Sequence, residues 1–206
     1  MRSFTSYFAN RTFTAPLLSS AIILSSCLAL DSHAKANDSF PASLIGVHHL
    51  GENYSIYRFH INKSIGDSVG EGGGGGGMVC CVALPRQWRP TLAVDVRWAV
   101  DHIIRSTKHG LPDTAEVEGI YHAQVPVEKY TEPGDFYVHF FPNGRVRIVV
   151  TGLGSDSKKH PIQTGDAQAI RRATVGRRIK ALFTQEEAAE RRKAANSARE
   201  KFGDWR

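Results

Sequence analysis

The sequence predicts a mainly β protein, a small antiparallel sheet or sandwich with a C-terminal helical extension. Three observations carry this expectation. Leu92, Val94, Val96 and Trp98 alternate with Ala93, Asp95, Arg97 and Ala99, the period of a strand with one apolar face. Asn143-Gly144 stands between apolar runs at 136–141 and 146–150, and Asn-Gly readily takes the positive φ that a two-residue hairpin needs. From Asp166 onward the pattern turns helical, and Thr184-Gln185-Glu186-Glu187 sets a capping threonine three residues ahead of a glutamate.

In chain order, the first 26 residues read as a secretory signal. Arg2 and Arg11 precede an apolar core from Phe13 to Leu24 that is too short for a stable membrane anchor. Its end has two readings. Leu24-Ser25-Ser26-Cys27 has the form of a bacterial lipobox, with Cys27 as the lipidated residue. Ala34-Lys35-Ala36 offers a small-x-small site that would release a soluble protein starting at Asn37. The lipobox is the more specific pattern, because the chain holds only three cysteines. Either end implies export, to the periplasmic face of a membrane, the outer membrane being the expected one, or to the soluble periplasm. Residues 27–43 are expected as a polar tether, 44–164 as the β domain and 165–206 as a basic helical tail.

Within the β domain, Leu44–Leu50 and Tyr54–Ile61 read as the first two strands, with Tyr54 and Ile56 on one side and Tyr57, Phe59 and Ile61 on the other. A long connection follows, ending in Gly72, Gly73, Gly74, Gly75, Gly76 and Gly77. Six glycines cannot make a packed strand or helix, so this is a loop, mobile or pressed against something that a Cβ would exclude. It is not a P-loop, because no Gly-Lys-Ser/Thr and no helix follow. Its bare backbone makes it a candidate partner-contact loop, together with Trp88 and Arg89 just downstream.

Cys80 and Cys81 are adjacent in the next strand. Neighbouring Cα atoms lie about 3.8 Å apart across a trans peptide, below the usual disulfide window, and strand neighbours point to opposite faces. These limits favour at least one of them as a small buried hydrophobe, while an oxidising compartment would permit a vicinal disulfide. Val100–Gly110 reads as a short helix or irregular excursion, and Val117–Val127, Phe136–Phe141 and Val146–Val150 as strands. Ser155–Gly165 reads as linker. Asp166 is placed to cap a helix reaching about Ala181, before the helix opened by Thr184.

Charge is uneven. From Gly165 onward there are eleven Lys and Arg against six Asp and Glu, whereas 27–164 is close to balanced. An exported protein seldom meets nucleic acid, so none is expected as a partner. The tail suits an anionic membrane surface, an acidic protein, or plain solvation with intrahelical pairs such as Glu187–Arg191. Candidate chemistry is thin. The chain has no His-Glu-x-x-His pattern. His48-His49 would diverge in a strand, and Tyr137 and His139 share a face suited to surface contact. No enzyme activity, metal or cofactor is expected.

Val79-Cys80-Cys81-Val82-Ala83-Leu84-Pro85, Trp88-Arg89-Pro90, Val94-Asp95-Val96-Arg97-Trp98 and Val138-His139-Phe140-Phe141-Pro142-Asn143-Gly144 carry a resemblance. Over about Leu44 to Ile162 the chain resembles domain of unknown function 3304, a family of mostly predicted lipoproteins of Gram-negative proteobacteria. The segment 101–116 and the basic tail lie outside the shared pattern. Some members resemble immunity proteins that accompany type VI secretion lipase effectors. The resemblance therefore implies an antitoxin that binds and silences a phospholipase effector in the periplasm. A structural or adaptor envelope lipoprotein without a toxin is the other expectation.

Overall fold

The computed structural model describes residues 38–202 apart from 63, 74–78 and 109. Ten strands form two five-stranded sheets packed face to face. They are β1 (Ser39–His48), β2 (Tyr54–Ile61), β3 (Ser64–Gly66), β4 (Val79–Pro85), β5 (Ala93–Ile104), β6 (Thr114–Pro126), β7 (Asp135–Phe141), β8 (Arg145–Thr151), β9 (Thr174–Val175) and β10 (Arg177–Ile179). One sheet has the order β4-β1-β7-β8-β9 and the other β10-β6-β5-β2-β3; β1 and β7 run parallel, and the other strand pairs are antiparallel. Two helices, α1 (Ala167–Arg172) and α2 (Gln185–Phe202), complete the described chain.

The core lies between the sheets. Val94, Val96 and Trp98 face it as the alternation requires, joined by Phe59, Phe136, Phe140 and Ile148. Phe140 bridges the layers, with ring centroids 5.2 Å from Phe59 and 5.8 Å from Trp98. The hairpin at Asn143-Gly144 joins β7 to β8, with φ of 60° and 62° at the two residues.

Several boundaries differ from the sequence reading, each for a local reason. β1 starts at Ser39, inside the expected tether, because Phe40 and Ala42 are core residues and pair with Leu84 and Val82 of β4. In β2 a bulge between Ile56 and Arg58 breaks the alternation, so Ile56, Phe59 and Ile61 all turn inward and Tyr57 turns out. β5 does not stop near Val100 but pairs with β6 through Ile104, replacing the expected helix or excursion with a long hairpin.

The expected boundary at 164/165 is crossed as well. β9 adds to one sheet and β10 to the other, and only Gly176 separates them. The chain closes one side of the sandwich there, its amide donating to Gly144 O at 2.8 Å. A Cβ at Gly176 would run into the Trp98 ring, so this crossing needs glycine.

α1 is correspondingly short. Asp166 does cap it, accepting from the amides of Gln168 and Ala169, but the helix ends at Arg172 rather than near Ala181. The 155–165 segment is polar in composition yet carries His160 and Ile162, both buried. With Ala169 and Ala173 it packs on Val47, Tyr137, Phe141 and Val149, covering the outer face of the first sheet. This cover explains why six of the seven residues of β7 are buried, Tyr137 and His139 among them, rather than presenting a surface pair.

Candidate interaction face

The glycine-rich loop is seated by a histidine. His48 Nε2 donates to Gly70 O at 2.7 Å, and its Nδ1 accepts from the Leu50 amide at 3.3 Å, which fixes a neutral Nε2–H ring. Burial lowers the pKa of His48 in the same sense, against the pull of the Gly70 carbonyl. Gly73, at φ 77°, lies on the His48 carbonyl so closely that a Cβ would collide with it. At this position the loop is pressed against backbone, as a glycine run allows.

The loop is also tied to the end of the β5–β6 hairpin. Arg105 donates to Glu71 through Nη2 and to Asp113 Oδ2 through Nη1 at 2.6 Å, while Asp113 Oδ1 accepts from the Ser106 amide at 2.8 Å. These contacts hold the Asp113 carboxyl below its ordinary range, Arg105 being the larger cause. One arginine therefore joins the glycine loop to the chain reversal between β5 and β6. Large apolar side chains stand exposed on the hairpin, with Leu111 at 59 %, Val117 at 60 % and Ile104 exposed as well, and Tyr57 of the neighbouring β2 is 57 % exposed. Lone exposed apolar residues are ordinary, but a group of this kind beside a bare backbone loop has the composition of a contact surface.

Residues 51–148 match the sequence signature of a family described as protein of unknown function (DUF3304). The match covers 98 of the chain's 206 residues. No curated protein and no solved structure matches it significantly. The family match starts after β1 and ends inside β8, so it holds the glycine run, the cysteine pair and the whole β5–β6 hairpin. It leaves out the 152–173 cover and α2.

The remaining sequence candidates are dispersed. Cys27, Gly74, Gly75, Gly76 and Gly77 lie outside the described residues, as does the signal segment. Gly72, at φ 84°, has no neighbour that a Cβ would meet. Cys80 and Cys81 are both exposed on β4, an edge strand, and are joined as a vicinal disulfide across a cis peptide bond. The expectation that one of them serves as a buried hydrophobe is thereby corrected. Trp88 is half-buried against the core, and its indole N–H donates to Val127 O at 2.8 Å, so it fastens the β4–β5 connection. Arg89 is exposed beside it, its carbonyl accepting from the Leu92 amide.

Sequence reasoning missed a histidine chain behind the loop. His49 Nε2 lies 2.9 Å from His139 Nδ1, His139 Nε2 lies 3.1 Å from His160 Nε2, and His160 Nδ1 lies 3.1 Å from Leu153 O. A carbonyl only accepts, so His160 carries its proton on Nδ1 and accepts at Nε2. His139 then donates from Nε2 and accepts at Nδ1 from His49 Nε2–H. In the neutral chain one backbone carbonyl sets all three tautomers, and His49 Nδ1 is the one nitrogen left to take a proton. Because each ring bonds to the next, the nitrogens do not converge on a single point. Among the described residues no group of three or more His, Cys, Asp or Glu converges for a metal ion.

A recess lies beside the start of α2. Arg97, Arg177, Arg178, Lys180, Phe183 and Glu187 line a groove of about 840 Å³ on the outer face of the second sheet. The expected Glu187–Arg191 pair does not form. Glu187 turns to Arg97, and Arg191 stacks over Phe183 at 4.3 Å. Among the described residues no helix is long and apolar enough to cross a membrane.

Proposed function

We propose that this protein is an exported, lipid-anchored binding protein of the bacterial envelope, an immunity protein that silences a phospholipase effector by covering it. The observation that carries this reading is the Arg105 clasp. It joins the bare glycine loop and the apolar hairpin end into one surface, and such a surface suits stoichiometric occlusion rather than turnover. The family resemblance supplies the kind of partner, and the lipobox at Cys27 supplies the anchor and the compartment.

The test is a titration of the purified protein against a type VI secretion phospholipase effector, read as lipid hydrolysis. Inhibition that saturates near a fixed molar ratio is expected. Protection at sharply substoichiometric amounts, or none, rejects occlusion. Gly74→Trp should weaken the complex while leaving the sandwich folded, and a version lacking the first 26 residues should fail to protect against toxin delivered to the periplasm.

A further inference from the structure

Among the described residues, Asp101 is a shielded carboxylate without a counter-charge. It lies in β5 opposite Ser55 of β2 and Val117 of β6, and directly paired residues of neighbouring strands share a face. The residue is 8 % exposed, and its Oδ1 is out of contact with solvent and has no hydrogen-bond partner. Burial raises its carboxyl pKa above the ordinary value.

The arginines nearest in the chain and in the sheet are engaged elsewhere. Arg105 holds Glu71 and Asp113, and the Arg58 guanidinium lies 5.1 Å from the centre of the Tyr57 ring, in contact with its hydroxyl. An acid shielded from water without donors is costly, and such a cost is relieved when a cation arrives with matching hydrogen bonds.

We infer that Asp101 is the anchor for a guanidinium or ammonium group of the bound protein, with exposed Tyr57 and Val117 packing along that side chain's aliphatic stem. This rests on the reading of the hairpin end as the binding face, and it names the chemistry the partner must bring there: a long cationic side chain at the centre of its contact surface. An acidic or purely apolar partner surface would leave Asp101 buried and unpaired, at a further loss of affinity.

Two measurements test it. In the first, wild type and Asp101→Asn are titrated against the phospholipase effector that the proposed function names. The variant should bind about 30- to 1,000-fold more weakly, the usual consequence of removing one member of a buried charge pair, and its melting temperature alone should be unchanged or higher. Equal affinities overturn the inference while leaving occlusion in place. Absence of binding by wild type overturns occlusion instead.

The second measurement needs no phospholipase. Wild-type side-chain carboxylate carbons are followed by NMR during titration with N-acetyl-arginine amide. Asp101 should shift and saturate, and shift more than exposed Asp67 and Glu52. Uniform shifts across the acids overturn the anchor whatever the first measurement gives, and this arm stands even if Asp101→Asn does not fold.

Discussion

Arg97 and Glu187 form a two-pronged ion pair, Nη1 to Oε2 at 2.9 Å and Nη2 to Oε1 at 3.0 Å, which fastens the start of α2 to the outer face of the second sheet. Arg97 also donates to Leu182 O and to Asp95, and Phe183 carries the guanidinium groups of Arg97 and Arg191 over its ring and meets His60 edge to face. Glu187 has a second task. Its carboxylate accepts from the Thr184 amide at 2.9 Å while Thr184 Oγ1 accepts from the Glu187 amide at 3.2 Å, a reciprocal capping box.

The two tasks separate by substitution. Glu187→Gln keeps an acceptor for the cap but loses the ionic pair with Arg97, whereas Glu187→Ala loses both. Amide exchange over residues 185–192 should quicken several-fold in the first variant and more in the second. The melting transition of the sandwich should move little, because the core lies on the other side of the sheet. Equal exchange in the two variants would mean that the ion pair, not the cap, holds the helix.

How much of this was legible depends on the range of the interaction. The capping box, the Asp166 cap and the Asn143-Gly144 hairpin are local chemistry, and each stands where the residues put it. The Arg97–Glu187 pair joins residues 90 apart, and nothing in either segment names the other. The bulge at Tyr57 turned the inward set of β2, because alternation presumes an unbroken register. β9 and β10 are too short to show a period, and they exist because Gly176 lets the chain cross the Trp98 edge. Composition misled at 155–165, where two buried residues among polar neighbours suffice to cover a sheet. The histidine chain spans three segments and carries no spacing signature, so only its buried members, seen together, reveal it.

The histidines predict a pH dependence with a definite sign. His49 and His60 are lowered to about 4, desolvation being the first cause in both, and His139 lies well below the usual value for the same reason. A histidine whose folded pKa lies below its unfolded value of about 6.5 takes up protons more readily when unfolded. Stability should therefore be highest above pH 6.5, fall from there to about pH 4, and level off with respect to His49 and His60. Each of those two should contribute on the order of 2 kcal/mol to the fall after solvent screening. Glu187 is lowered to about 2, chiefly by Arg97, so its contribution persists above 4.5 and is lost only as pH falls through about 2. Denaturant midpoints between pH 4 and 8 check this, and His49→Gln should flatten the slope. A slope unchanged by that substitution would exclude His49 as a contributor.

Trp98 has no exposed surface and stacks on Tyr121 at 5.4 Å, while its Nε1 has no hydrogen-bond partner. Trp98→Ala should cost about 3–5 kcal/mol, the range for deleting a buried aromatic. Trp98→Phe keeps an aromatic ring and removes the unpaired N–H, so it should cost clearly less. Chemical denaturation of both variants decides the point. Equal losses would show that shape at the Gly176 crossing, rather than buried aromatic volume, sets the energy.

Gly72 and Gly73 offer a contrast within the glycine loop itself. Both have positive φ, 84° and 77°, so an alanine at either carries the left-handed backbone cost of about 1–2 kcal/mol. They differ in what a new methyl group would meet. At Gly72 nothing lies within contact, whereas at Gly73 the methyl would strike the His48 carbonyl, a backbone atom that cannot swing aside. Gly73→Ala should therefore lift the loop from its seat, break the His48–Gly70 hydrogen bond and loosen the Glu71–Arg105 contact, while Gly72→Ala should leave them in place. Nitrogen shifts of the His48 ring report the first bond, and amide exchange around Arg105 reports the second. If the loop belongs to the binding face, Gly73→Ala should also weaken the complex with the phospholipase more than Gly72→Ala does. Matching effects from the two alanines would place the cost in φ alone and remove the seat from the account of binding.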